Sequence, residues 1–289
     1  MDLAFTADGG YFLIHPMEKK FRWRGVPQSL QERMELTGPE KVIAIHCITF
    51  GEDGAFFMGW SRADGKEQTW AVLKGQYPSL EKWLNEPNRR GSAKKLYIVL
   101  GPNGSFFALE RGVETFEKGL PPSLSEKIRE FRVNGLNVRR IQLGINGCYF
   151  VEASDGSRAW NVTDDYPDLR THLNKQRLTK ISTVNLSPYD SQHFFVAFND
   201  GHAKWTLPAS WVSDISAVAR EYRRHKAVSS GSTLSQTNRP GNQQRKSSSS
   251  SSSSGPIRDL ELTRKIVSTV GTVVTAGITV ASAVGCTVM

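Results

Sequence analysis

The sequence predicts a mainly β protein with short helices. It reads as a five-repeat β-propeller-like domain over residues 1–226, a disordered Ser-rich linker over 227–263 and an apolar tail over 264–289. Three observations predict this. A turn followed by an aromatic pair occurs five times, and the second aromatics, Phe12, Phe57, Phe107, Phe150 and Phe195, lie 45, 50, 43 and 45 residues apart. Each pair is followed by a further aromatic and then a proline. After Lys226 the composition turns abruptly to Ser, Gln, Asn and Gly. Self-similarity at a nearly fixed period marks a repeat architecture.

Each unit reads as a three-strand meander plus a helix. The leading strand is apolar, clearest in Lys41–Ile48 and Leu96–Leu100, and is reduced to Leu3-Ala4-Phe5 in the first copy. Asp53-Gly54, Asn103-Gly104 and Asn146-Gly147 then reverse the chain, because glycine accepts the positive φ of a tight hairpin. The second strand carries the aromatic pair. A second turn, as in Asp64-Gly65, Asp155-Gly156 and Asp200-Gly201, leads to a third strand holding Trp23, Trp70, Phe116, Trp160 or Trp205. Phe12, Phe57, Phe107, Phe150 and Phe195 on the second strands, and Trp70, Trp160 and Trp205 on the third, are expected to be buried core at equivalent positions. Pro27, Pro78, Pro122, Pro167 and Pro208 stop the sheet, and proline's fixed φ suits the first turn of a helix. Helical spacing shows in Leu80/Trp83/Leu84, Leu124/Ile128, Leu169/Leu173 and Ile215/Val218/Tyr222, with each helix expected outside its own blade.

Such a unit cannot bury its faces alone, so the copies must stack. Aromatic- and turn-rich units of this length fit sheets arranged around an axis. The rival is an open stack of ββ(β)α units. Five copies without distinct caps favour a ring. The His and Trp-Asp signature of one propeller class and the kelch glycine doublet are both absent.

The linker includes an unbroken serine run, Ser247–Ser254, and has too little apolar surface to offset ordering entropy. From Ile266 to Met289 there are 24 residues without a charge, enough to cross a bilayer as a helix. Ile266, Val267, Val273, Val274 and Ile278 supply its apolar side chains, and Gly277, Ala281 and Gly285 form a small-residue stripe that permits close helix packing. The chain closes on Cys286-Thr287-Val288-Met289, a C-a-a-X ending in which Cys286 is the lipidation site and the terminal methionine favours farnesyl. A single lipid chain binds reversibly and needs a second signal, which the apolar run or the basic flank of Arg258, Arg264 and Lys265 supplies. Two anchors therefore compete, a prenyl group and a transmembrane span.

Of the 37 Lys/Arg and 28 Asp/Glu, ten and three lie from Arg220 to Lys265, leaving a nearly neutral 27 and 25 before them. That balance argues against a nucleic-acid-binding face on the fold and assigns the basic excess to the tail. The opening residues carry no basic n-region and no apolar h-region, so a cytosolic compartment is expected. Cys47, Cys148 and Cys286 form no disulfide framework or metal spacing.

No catalytic constellation is visible. His15, His46, His172, His193, His202 and His225 show no metal-ligand spacing with carboxylate support. His46 and Cys47 adjoin in a strand and face opposite sides, and neither a phosphate loop nor Gly-x-Ser-x-Gly occurs. No enzyme, cofactor or metal is expected. The expectation is an interaction or scaffold module at the cytoplasmic face of a membrane, monomeric unless its tail self-associates. Its partners would be the membrane and a protein, with no nucleic acid. A multivalent glycan-binding propeller and a membrane-active protein oligomerising through its glycine stripe are the alternatives.

Overall fold

The computed structural model describes residues 1–15, 20–86, 93–112, 114–175 and 180–231. These residues form five three-stranded antiparallel sheets, each a simple meander and each followed by a helix. The first sheet is β1 (Asp2–Phe5), β2 (Tyr11–His15) and β3 (Lys20–Arg24), followed by α1 (Gln28–Glu35). The second is β4 (Val42–Phe50), β5 (Phe56–Arg62) and β6 (Glu67–Val72), followed by α2 (Pro78–Leu84). The third is β7 (Leu96–Leu100), β8 (Phe106–Glu110) and β9 (Glu114–Lys118), followed by α3 (Pro122–Val133). The fourth is β10 (Val138–Leu143), β11 (Tyr149–Ala153) and β12 (Arg158–Asn161), followed by α4 (Pro167–Lys175). The fifth is β13 (Ile181–Leu186), β14 (Phe194–Phe198) and β15 (Ala203–Thr206), followed by α5 (Val212–Gly231). The expected linker and tail beyond Gly231 lie outside the described residues.

The first turn of the second, third and fourth units has one geometry. Asp53, Asn103 and Asn146 have φ of 53°, 56° and 53°, and the glycine after each is also left-handed. Two successive left-handed residues make a type I′ turn, which matches the twist of a hairpin and which Asn, Asp and Gly tolerate best.

The aromatic pair sits at the head of every second strand because both faces of that strand are buried. Phe12, Phe57, Phe107, Phe150 and Phe195 are at most 1% exposed. Phe57 packs with Phe106 of the third sheet, Phe107 with Tyr149 of the fourth, and Phe150 with Phe194 of the fifth. Phe195 packs with Tyr11 of the first sheet, and Phe12 with Phe56 of the second. The second aromatic of each pair thus faces the following sheet and the first faces the preceding one. Neighbours on a strand point to opposite faces, so two adjacent aromatics serve two cores.

The third-strand aromatics depart from expectation. They are half-buried, and they are not equivalent. Trp23, Trp160 and Trp205 pair across the sheet with Phe12, Phe150 and Phe195. Trp70 pairs with Met58 and Phe116 with Ala108, one position away, which turns both to the opposite face. Trp70 accordingly packs edge-on against Phe56 at 4.9 Å between centroids.

The helices also differ from expectation. Each covers the junction between its own sheet and the next, not its own sheet alone. Leu80 and Trp83 of α2 join the core between the second and third sheets, and Leu169 and Leu173 of α4 that between the fourth and fifth. Ile215, Val218 and Tyr222 of α5 join the core between the fifth and first. The leading strands follow the same cycle: β1 contacts β4 and β13, β7 contacts β4 and β10, and β10 contacts β13.

Candidate functional site

Residues of all five leading strands line one cavity of about 840 Å³. Each leading strand is a sheet edge, so its outer N–H and C=O groups have no ladder partner and need another. In the second and third sheets the residue three places before the strand end supplies it. That position holds Asp2, Cys47, Tyr97, Arg140 and Thr183.

Cys47 donates its thiol to the Ile98 carbonyl and accepts the Ile98 N–H, both at 3.3 Å. Tyr97 donates to the Ile141 carbonyl at 2.7 Å and accepts the Ile141 N–H at 3.1 Å. Each side chain thereby fastens the next strand's edge. Arg140 donates to the Thr183 hydroxyl, which donates to the Asp2 carboxylate at 2.9 Å, and Arg140 pairs with Asp2 at 3.4 Å. Burial opposes ionisation of Asp2, but Arg140 and its hydrogen bonds outweigh it and hold the carboxyl below the ordinary range. Burial pushes the Cys47 thiol up to about 12 and also raises the Tyr97 phenol, so neither ionises readily.

Two residues along lies a second layer, Ala4, Thr49, Val99, Gln142 and Asn185. Thr49 accepts the Leu100 N–H at 3.0 Å. Asn185 is 3% exposed, and its Oδ1 has no hydrogen-bond partner. At the turn end Pro188 lines the cavity, and the Tyr189 hydroxyl donates to the Phe50 carbonyl at 2.8 Å. That bond joins the fifth sheet's first turn to the second sheet, which is not its neighbour. The opposite rim carries exposed Arg111, Glu114, Arg132 and Arg139. Arg139 pairs with Glu152 at 3.1 Å, and Glu152 is also held by Arg158 at 2.8 Å.

His46 falls at a bulge in β4, where the pairing skips from Ile45 to Cys47. Its Nε2 lies 2.8 Å from the Ser61 hydroxyl, and burial lowers its proton affinity. No group of three or more His, Cys, Asp or Glu poised for a metal occurs among the described residues. The arrangement offers hydrogen bonds, an ion pair and apolar wall, which suit recognition.

The lining was missed because sequence reading followed the aromatics. Aligning the five copies on Phe5, Phe50, Leu100, Leu143 and Leu186 exposes a column of Asp, Cys, Tyr, Arg and Thr three places before the strand ends. The tail positions expected to act, Cys286, Ile266, Val267, Val273, Val274, Gly277, Ile278, Ala281 and Gly285 with Arg258, Arg264 and Lys265, all lie outside the described residues. No helix among the described residues is long and apolar enough to cross a membrane. No protein-family model, curated protein or solved structure matches the chain.

Proposed function

We propose that the five sheets close into a five-bladed propeller that works as a non-enzymatic interaction module, tethered to the cytoplasmic face of a membrane by the C-terminal tail. The cavity fenced by all five leading strands carries the reading of the folded part. Closure is supported by the cycle of core contacts, in which the fifth sheet meets the first through Phe195, Tyr11 and Trp211. A partner group entering from the Arg139 rim would meet the Asp2–Arg140 pair and then Gln142 and Asn185. The repeated aromatics are spent on the inter-sheet cores, which leaves the cavity as the recognition surface.

The tether rests on the sequence ending. Farnesylation of Cys286 is one mode and insertion of Ile266–Val284 the other. Two measurements test the whole proposal. Gln142→Trp, at mid-depth, fills the cavity and should abolish capture of the cellular partner while leaving the unfolding midpoint within a few degrees. Intact mass and membrane fractionation of the protein and of Cys286→Ser separate the anchors. Release of the serine variant to the cytosol identifies the prenyl mode, retention against alkaline extraction the spanning mode, and a soluble wild-type protein refutes both.

A further inference from the structure

The nearly neutral charge of residues 1–219 conceals a segregated surface. On β3 the exposed residues are Lys20, Arg22 and Arg24, alternating with half-buried Phe21 and Trp23. They stand opposite His15, Leu13 and Tyr11 in the register and therefore share their face. That face packs against α5: Leu13 and Tyr11 share a core with Ile215, Val218 and Tyr222. Arg24 donates to the Ser210 carbonyl at 2.7 Å, just before α5, and Lys20 and Arg22 border one small depression with Val218 and Glu221. From the other side α5 brings exposed Arg220, Arg223 and Arg224 and half-buried Lys226.

Strand and helix together carry seven basic residues and two acids, Asp214 and Glu221, with Arg223 and Lys226 turned toward Gly201 of the fifth sheet's second hairpin. Asp214 is engaged by the Tyr11 hydroxyl at 2.7 Å. The basic residues are far apart in sequence, and only the closure of the first sheet against α5 assembles them. The same helix runs to Gly231, and 58 further residues follow it in the sequence.

We infer that this β3–α5 face docks on an anionic lipid surface, so that the folded domain lies against the membrane on one side. The inference rests on the tether proposed above. Charge complementarity is the first argument, since Lys and Arg beside an anionic leaflet are attracted to it. The second is place: the face is built on the very helix from which the chain departs toward its apolar, C-a-a-X-ending segment. A surface at the root of a tether is held at high effective concentration over the membrane, where weak contacts suffice.

The test uses the full chain with vesicles of phosphatidylcholine alone and with phosphatidylserine added, at low and high salt. Arg22→Glu, Arg220→Glu and Arg224→Glu are combined, and thermal unfolding confirms the fold. A control combines Lys41→Glu, Lys66→Glu and Lys82→Glu, away from the face. The face variant should lose at least tenfold of its serine-lipid-dependent, salt-sensitive binding, and the control should lose almost none. Equal losses in both, or none in either, overturn the inference while leaving the tether standing. Loss restricted to Arg258→Glu, Arg264→Glu and Lys265→Glu does the same. Wild-type protein that ignores both vesicles overturns the tether as well. Binding to heparin or DNA that the face variant abolishes, with no serine-lipid dependence in the wild type, reassigns the surface to a polyanion and sinks the lipid assignment.

Discussion

Phe107 and Trp160 illustrate why some residues were legible in the sequence and others were not. Phe107 belongs to a column in which every member follows its turn at a fixed distance, so its burial could be read directly. Replacing it with alanine should cost about 3–5 kcal/mol by denaturant unfolding, as for other enclosed aromatics. Trp160 is half-buried, and its alanine variant should lose clearly less. The third-strand positions were misread because the second hairpin varies in length. Phe57 and Trp70 are 13 residues apart, Phe150 and Trp160 only 10, and a one-residue slip sends a side chain to the other face. Gly51 is a second residue-level test. A methyl group there would overlap the Tyr77 hydroxyl, which donates to the Gly101 carbonyl at 2.8 Å. Gly51→Ala should lower the unfolding midpoint, and adding Tyr77→Phe should recover part of the loss. Cys47, with its thiol pushed up to about 12, should resist alkylation at pH 8 until the protein unfolds.

At the scale of elements, strand alternation, Asn-Gly and Asp-Gly turns and proline stops were all visible in order. The helix positions were not, because covering a junction requires knowing which sheet comes next in space. The leading strands were read as apolar, and their polar column was overlooked for that reason. That column makes a pH prediction. The folded pKa of Asp2 lies below its unfolded value, so its stabilisation is present above the ordinary carboxylate range. It is lost as pH falls through the lower folded value. Asp2→Asn should therefore be less stable than wild type at neutral pH and should converge with it in acid, measured by denaturant midpoints across pH.

For the whole molecule, the repeat number and the mainly β class were legible, whereas the cavity was not, since it belongs to no single repeat. A chain ending at Gly231 should unfold in one cooperative transition, because each sheet's core is shared with its neighbours and no described core residue lies beyond Tyr222. Separate transitions for its sheets would contradict a closed arrangement.

The junction between the fifth and first sheets has a mechanical meaning. No strand is exchanged there; it is held by side chains, including Tyr11 on Asp214 at 2.7 Å and Trp211 against Tyr11 at 4.9 Å between ring centroids. Asp214 belongs to α5 and Trp211 to the turn just before it, and both bear on Tyr11 of β2. A pull on the chain beyond Gly231 therefore enters the fold through the one helix whose side chains also join the fifth sheet to the first, and this junction bears the load first. Drawn by its tail, the protein should open at that junction before any sheet loses a strand, and Tyr11→Phe should lower the force at which it yields.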